Sequence, residues 1–199
     1  MYCKYCVERS EEVGSRYDQT CVKHASGVTL AELMVTLVII SVLAAIALPG
    51  LAKYSSRKAL SHQADEICAL FSRVRERAME TGYSWRIAIS PGQGRWACFG
   101  DANANGREDP GEERMGPYHL SSGISFGCLS PFGPNDTEVP LDGVSFVDNK
   151  VNFSPMGGCN AGTIFLRNEK NTGSMALRTL PASGTTRMYE YGKGWNVLR

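Results

Sequence analysis

Side chains with oxygen donors recur between residues 101 and 112 at a spacing that suits a calcium ion. Asp and Asn alternate with Ala over the first five positions, Gly106 follows, and acidic side chains return three and six residues later. Calcium loops of the EF-hand type space their oxygen ligands in this way and use a glycine for the sharp turn. The predicted ligands are Asp101, Asn103, Asn105, Arg107 through its carbonyl, Asp109 and Glu112. The alternative is a solvated hairpin loop of Asx turns, because the segment follows a strand and is not framed by two helices.

Two short patterns look like those of serine nucleophiles. Gly123-Ile-Ser-Phe-Gly127 has the glycine-x-serine-x-glycine spacing of a nucleophile elbow, but no helix follows it. No histidine lies downstream to act as the base, since the histidines are His24, His62 and His119. Ser55-x-x-Lys58 lies on a predicted helix and lacks its partner motifs. The sequence therefore predicts that the chain is not an enzyme.

Seven cysteines fall into two groups on either side of one apolar stretch. Cys3, Cys6 and Cys21 precede the stretch, and Cys68, Cys98, Cys128 and Cys159 follow it. The second group allows three pairings. We expect a Cys128–Cys159 disulfide, because both residues lie in loop-like, glycine-rich segments. Cys68 lies on an apolar helix face, which is typical of a small buried side chain, and a Cys68–Cys98 bridge is the alternative.

Charge is unevenly distributed although the formal net charge is only +1. That balance argues against a polybasic nucleic-acid binder and against a disordered acidic tail. Residues 101–148 are rich in Asp and Glu, whereas the C-terminal residues from Arg167 onward are rich in Lys and Arg. Cations with interleaved aromatic rings bind phosphates and stack on bases, so Lys193 and Arg199 are candidate DNA contacts. The alternative is a solvated face of a sheet.

The element that dominates the chain is a long helix. From Val28 to Leu48 the only charged residue is Glu32, and as a helix this stretch is about 30 Å long, enough to cross a bilayer core. Pro49 then interrupts the apolar run, but helical spacing resumes in an apolar stripe formed by Leu60, Ala64, Ile67, Phe71, Val74 and Ala78. The pattern predicts one helix from about residue 28 to residue 81, bent at Pro49 and ended by Gly82.

Period-two alternation replaces the helical pattern from Tyr83 onward. Short strands are predicted around residues 85–89, 95–99, 144–147, 151–153, 163–166, 175–180 and 187–191, with turn residues between them. We expect these strands to form an antiparallel sheet that packs on the amphipathic half of the helix and covers its apolar stripe. The predicted fold class is therefore α+β, with a long N-terminal helix packed on a small antiparallel sheet or sandwich.

The segment from Gly27 to Pro49 resembles the N-terminus of type IV prepilins. A glycine is followed by an apolar residue, Thr29-Leu30, and a glutamate at the fifth position, and the apolar run ends near a proline. Two positions depart from the pattern: Val28 replaces the usual phenylalanine, and Ala31 replaces a bulkier aliphatic residue. With its predicted β-rich domain, the chain resembles the GspH/FimT group of pilin-like minor pseudopilins.

The resemblance implies a set of domains and processing steps. Residues 1–27 would be a leader cleaved by a prepilin peptidase, which would also methylate the new Val28 amine, and Glu32 would direct assembly. Residues 28–48 would form a single-pass anchor in the bacterial inner membrane, 49–82 the amphipathic helix, and 83–199 a periplasmic β-rich domain. A leader of ordinary length would start at Val22, so we hypothesise that translation begins there.

Two functions follow from the resemblance. The first is a minor pseudopilin that joins other pseudopilins in the fibre of a type II secretion system. The alternative is a minor pilin of the FimT type, which would take part in DNA uptake through the basic C-terminal end. Neither function requires a cofactor, and calcium is the one ion that the sequence predicts.

Overall fold

The computed structural model describes residues 27–134 and 136–198. The predicted leader therefore lies outside the described residues except for Gly27, as does Arg199. The chain divides into two units, Met1–Leu43 and Ala44–Arg199. This division lies a few residues before the boundary at residue 48 that the sequence predicts.

One helix, α1, spans Leu30–Thr81, as the sequence predicts to within two residues. Gly82 follows it with a φ of 76° and donates its N–H to the Ala78 carbonyl at 3.1 Å. A left-handed conformation suits glycine at this position because it has no Cβ, so Gly82 ends the helix as predicted. The assignment of α1 runs through Pro49, and the predicted bend there remains a prediction.

Within the described residues, nine strands follow α1 and form two antiparallel sheets. Sheet A has the order β3-β2-β1-β5 and sheet B the order β4-β6-β7-β8-β9. The strands are β1 Ser84–Ser90, β2 Arg95–Asp101, β3 Arg114–His119, β4 Ile124–Phe126, β5 Lys150–Phe153, β6 Thr163–Asn168, β7 Ser174–Leu180, β8 Thr185–Tyr191 and β9 Trp195–Val197. The fold class is α+β, as predicted.

The second half of α1 shares one hydrophobic core with both sheets. All six residues of the predicted stripe, from Leu60 to Ala78, are buried in it. Phe71 lies at its centre and meets Phe153 of β5 edge to face, with the ring centroids 5.8 Å apart. Such a pair contributes about 0.5–1.5 kcal/mol beyond the burial of its area. The helix is thus the element that both sheets need in order to exclude water.

Several strand predictions are wrong in detail. A strand is predicted at residues 144–147, but only an isolated bridge between Val144 and Ile164 is present, and a short 3₁₀ turn follows. Three observed strands, β3, β4 and β9, are absent from the prediction. Each is short or contains glycine or proline, so period-two alternation is too brief to be recognised.

A loop covers the outer face of sheet B. Residues 127–134 and 136–143 lie over a small second cluster formed by Phe165, Ala176 and Tyr189, to which Cys128 and Val139 contribute. Gly133 is required for this close approach, because a Cβ there would lie 2.8 Å from the Phe165 ring. The loop therefore adds a second, smaller core on the side of sheet B that faces away from α1.

The predicted Cys128–Cys159 disulfide is not formed. Both residues are free thiols, because Cys128 packs in the outer cluster of sheet B whereas Cys159 packs against the main core. Cys98 is also a free thiol, so the alternative bridge to Cys68 is absent too. Burial raises the pKa of the Cys98 thiol to about 12. Cys98 is therefore a neutral core side chain.

Maleimide labelling of the folded chain at pH 8 tests this arrangement. We expect Cys128 and Cys159 to be labelled before Cys98, because both are partly exposed whereas Cys98 is fully buried and protonated. A Cys128→Ser variant should leave the labelling of Cys159 unchanged. A peptide that joins Cys128 to Cys159 in a non-reducing digest would contradict the structure.

Candidate functional site

The first part of α1 exposes an unbroken apolar surface. Residues Leu30–Ala47 have a mean hydropathy of 2.5, and none of them is buried. Every large aliphatic side chain from Val28 to Ile46 is between 53% and 76% exposed. Such a surface on one helix is far larger than the patches that soluble proteins leave in water. Its length and composition suit a membrane span or a packed bundle of like helices.

Glu32, the only charged residue of this stretch, lies in the first turn of α1. Its backbone N–H donates to the Thr29 hydroxyl at 3.2 Å. Thr29 therefore caps the helix, and Glu32 occupies the third helical position, where the positive end of the helix dipole stabilises a carboxylate. Threonine followed by glutamate three residues later is a capping signature that the prediction of function did not use.

The predicted processing residues lie beside this cap. Gly27 and Val28 precede the helix and are exposed, so the peptide bond between them is accessible. After cleavage there, the Val28 amine would lie one turn from Glu32. Two hydroxyls further along the span are satisfied locally: Thr36 donates to the Leu33 carbonyl and Ser41 to the Leu37 carbonyl. Glu32 is thus the one charged side chain of Leu30–Ala47, and in an apolar environment it would need a group of opposite charge beside it.

The predicted calcium loop lies on the outer face of sheet A. Asp101 ends β2 and is buried there, and its Oδ2 atom accepts from Arg86 Nε at 2.6 Å and from the Gly106 N–H at 3.0 Å. Lys150 Nζ donates to the Gly106 carbonyl at 2.9 Å. Gly106 takes a φ of 77° directly above the Arg86 guanidinium. Two cations from β1 and β5 therefore hold the loop against the sheet.

The side chains of four other predicted ligands, Asn103, Asn105, Asp109 and Glu112, also form hydrogen bonds within the loop. The Asn103 and Asn105 side-chain oxygens accept backbone N–H groups two residues on, while their amide groups donate to Asp109. These two hydrogen bonds lower the pKa of Asp109. Both Glu112 oxygens accept from backbone N–H groups, of Ala102 and Asp109.

As arranged, these groups hydrogen-bond one another and Arg86, and the calcium site stays a prediction. The Asn amides present N–H groups to Asp109 where a metal would need oxygens, and Arg86 takes the Oδ2 atom of Asp101. The buried Oδ1 atom of Asp101 has no hydrogen-bond partner among the described residues. In residues 27–134 and 136–198 no three His, Cys, Asp or Glu side chains gather into a group that could hold a metal ion. The alternative reading of the segment, a hairpin loop of Asx turns, describes its hydrogen bonds.

The glycine-x-serine-x-glycine pattern forms β4 and not a nucleophile elbow. Ser125 lies in the middle of this three-residue strand, and its hydroxyl accepts from Arg167 Nε at 3.3 Å. Because Arg167 donates this hydrogen bond, it cannot accept the Ser125 proton as the general base of a nucleophilic serine would.

The basic C-terminal end forms part of the outer face of sheet B. Arg178 of β7 and Arg187 of β8 are direct cross-strand partners, and neither has an ion-pair partner among the described residues. Like charges directly opposite each other destabilise a sheet, so an anion bound there would relieve the repulsion. Lys193 lies in the exposed turn between β8 and β9, whereas Arg199 is outside the described residues.

Two parts of the chain match models of known protein families. Residues 63–183 match the family model described as type II transport protein GspH, and residues 22–48 match the prokaryotic N-terminal methylation motif. A curated relative, the pilin-like protein PilA1 of Thermus thermophilus, is 37% identical over 98 residues. That alignment spans 49% of this chain and 61% of the relative.

Two structures of the minor pseudopilin EpsH from the type II secretion system of Vibrio cholerae are also similar. Each is 12% identical to this chain, and the TM-scores are 0.42 and 0.41. They cover 65% and 66% of this chain and 94% and 93% of their own. At these scores the likeness does not bear on function.

The Arg86–Asp101 ion pair, which holds the loop against sheet A, can be tested without any ligand. We expect Arg86→Met to lower the free energy of unfolding by about 3–5 kcal/mol, because the buried carboxylate loses its counter-charge. Thermal unfolding of the full chain in detergent micelles, followed by near-ultraviolet circular dichroism, measures this change. Arg95→Met, an exposed arginine of the same sheet, is the matched control and should change little.

Calcium added to the wild-type chain should leave the unfolding midpoint unchanged. A midpoint that rises with calcium would show that the loop binds the ion. An Arg86→Met chain as stable as the wild type would contradict the stabilising role of the Arg86–Asp101 pair.

Proposed function

Because the chain belongs to the GspH family of type II transport proteins, we propose that it is a minor pseudopilin of a type II secretion system. In this role it is a structural subunit of the pseudopilus, the fibre involved in moving proteins across the outer membrane. The observation that carries the proposal is the exposed apolar helix segment Leu30–Ala47, which lies within the methylation motif of residues 22–48. Aliphatic side chains of this kind are stable only in a bilayer or against like helices.

Processing prepares the helix for both environments. A prepilin peptidase cleaves between Gly27 and Val28 and methylates the Val28 amine, which leaves a chain that starts one turn before Glu32. In the bilayer, the capped helix end keeps the Glu32 carboxylate close to the headgroups, where its cost is small. In the fibre, Glu32 pairs with the terminal amine of a neighbouring subunit, so two buried charges become one ion pair.

The location of the chain follows from the same helix. Before assembly the span anchors the subunit in the bacterial inner membrane by a single pass, and the β-rich domain of residues 83–199 lies in the periplasm. The flanking charges do not decide this orientation, since basic residues lie on both sides of the span. The partners are the other pseudopilins of the fibre and the processing peptidase.

Deletion of the gene in its host tests the proposal. Proteins normally secreted by the type II system should accumulate in the periplasm, while pilus formation and DNA uptake continue. Loss of pili with normal secretion would contradict the proposal.

A Glu32→Gln variant separates assembly from folding. It should remain in the membrane but be missing from the sheared fibre fraction, because the neutral amide cannot form the ion pair. Glu76→Gln, an exposed acid on the same helix, is the matched control and should still be incorporated.

A second function, DNA capture by a minor pilin of the FimT type, is favoured by one observation. The Arg178–Arg187 pair presents two adjacent cations, without acidic partners among the described residues, on one face of sheet B, with Lys193 in the turn beyond β8. Adjacent cations at strand spacing can each contact a phosphate of a nucleic-acid backbone. Aromatic side chains on the same face, Tyr191 and Trp195, lie against each other with ring centroids 5.2 Å apart.

Retardation of duplex DNA by the full chain in detergent tests this second function. If it operates, Arg178→Gln with Arg187→Gln should weaken binding and reduce the salt dependence by about two phosphate contacts. Arg73→Gln with Arg95→Gln removes the same charge from exposed positions elsewhere and is the control. Equal binding by both double variants, or none by the wild type, would exclude a role for this face in DNA capture.

A further inference from the structure

Two of the four sheet edges, those at β3 and β5, are blocked. β3 carries Pro117, which has no N–H to donate to a further strand. β5 is paired with Asn160, whose side chain and backbone exchange hydrogen bonds with Asn152 at 2.8 and 3.2 Å. These are ordinary ways in which proteins protect their sheet edges from pairing with other chains.

The β9 edge of sheet B is open. The N–H groups of Gly192 and Leu198 donate to Gly194 and Met188, at 3.0 and 2.9 Å. Because hydrogen-bonded pairs alternate along an antiparallel ladder, Asn196 faces β8 in the same way, opposite Glu190. The N–H and carbonyl groups of Trp195 and Val197 therefore point away from the sheet, and no backbone hydrogen bond to them is made by the described residues.

The side chains around this edge suit an apolar strand. β9 has no charged residue, and Val197 is 61% exposed on the outer face of sheet B. Trp195 donates its indole N–H to the Phe132 carbonyl at 2.9 Å, which places the exposed Phe132 beside the edge. An uncharged edge with free donors and acceptors at every second residue is a template for strand addition.

The charges near the β9 edge indicate which kind of added strand would bind there. Lys193 lies in the turn before β9, and Arg187 of β8 lies next to Met188, the hydrogen-bond partner of Leu198, on the outer face of sheet B. Glu190, opposite Asn196 of β9, lies on the other face of the sheet. A second copy of this chain would present the same basic end and would close a two-fold dimer, which does not extend into a fibre. An extended segment with acidic residues at one end is complementary to this surface.

We propose that β9 receives an extended, acid-flanked segment of a different fibre subunit as a sixth strand of sheet B. Main-chain hydrogen bonds form to Trp195 and Val197, alternate apolar side chains contact Val197 and Phe132, and the acidic end lies beside Lys193. The identity of the donor as a fibre subunit rests on the proposed function. The open edge itself rests only on the hydrogen bonds of β8 and β9.

The test uses the full chain in detergent micelles and two capped peptides. The probe is Glu-Glu-Thr-Val-Thr-Val-Thr, and its matched control replaces both glutamates by lysine. Amide hydrogen exchange is measured by NMR. We expect the acidic peptide to slow exchange at Trp195 and Val197 at least tenfold and to leave Leu198 unchanged, because the Leu198 N–H already pairs with β8. The lysine peptide should have a much weaker effect.

Two variants of Val197 report on the backbone directly. Val197→Pro removes an N–H that the β8–β9 ladder does not use, so it should weaken binding of the fluorescently labelled acidic peptide at least tenfold. Val197→Ile keeps both the N–H and a branched apolar side chain and should bind the peptide much more tightly than Val197→Pro. Retained amide protection at Asn196 and Leu198 shows that the proline variant still pairs with β8.

Three results would overturn the proposal: unchanged exchange at Trp195 and Val197 with the acidic peptide, equal binding of both peptides, or protection of these amides by duplex DNA alone. None of these readouts depends on secretion. A failure here therefore leaves the pseudopilin role intact. Normal secretion by the deletion strain would instead show that the segment does not come from a subunit of a secretion fibre. The inference that the β9 edge accepts a strand would be unaffected.

Discussion

Burial of the apolar stripe on α1, from Leu60 to Ala78, is the contact on which the folded unit depends. Each sheet has one face that is apolar over several strands, and both faces are closed by this one helix side. Removing the helix would expose the main core to water, including Trp85 and Phe153, which are fully buried. The same helix begins with a surface that none of the described residues covers. One element therefore provides both the core of a folded unit and the apolar surface that needs a membrane or a neighbour.

The outer faces of the two sheets are closed in different ways. On sheet A, a polar loop is held by the buried Arg86–Asp101 pair. On sheet B, the loop that follows β4 packs apolar side chains over Phe165 and Tyr189. The outer face of sheet B also carries Arg178 and Arg187, and β9 forms the edge of that sheet. Within the described part of the chain, this region offers cations without acidic partners and backbone groups without hydrogen bonds, and both proposals about binding concern it.

Patterns that repeat over many residues were predictable, and those that depend on a single contact were not. The helix was predicted almost to its ends, because its stripe recurs over several turns and Gly82 stops it. β3 and β9 were missed since three to six residues with glycine, proline or asparagine give no clear alternation. The spacing from Asp101 to Glu112 indicated calcium, but Arg86, which takes the Oδ2 atom of Asp101, is distant in sequence. The same limit applies to Cys128 and Cys159, whose loops lie in separate clusters.

The central claim is that this chain is stored in the membrane as a processed subunit that begins at Val28. Mass spectrometry of the chain extracted from host membranes tests it most directly, because the mass of the N-terminal peptide reports cleavage and methylation together. The account predicts that the peptide starts at Val28 and carries one methyl group on its amine. A mature chain that retains residues before Gly27, or that starts beyond Glu32, would contradict it.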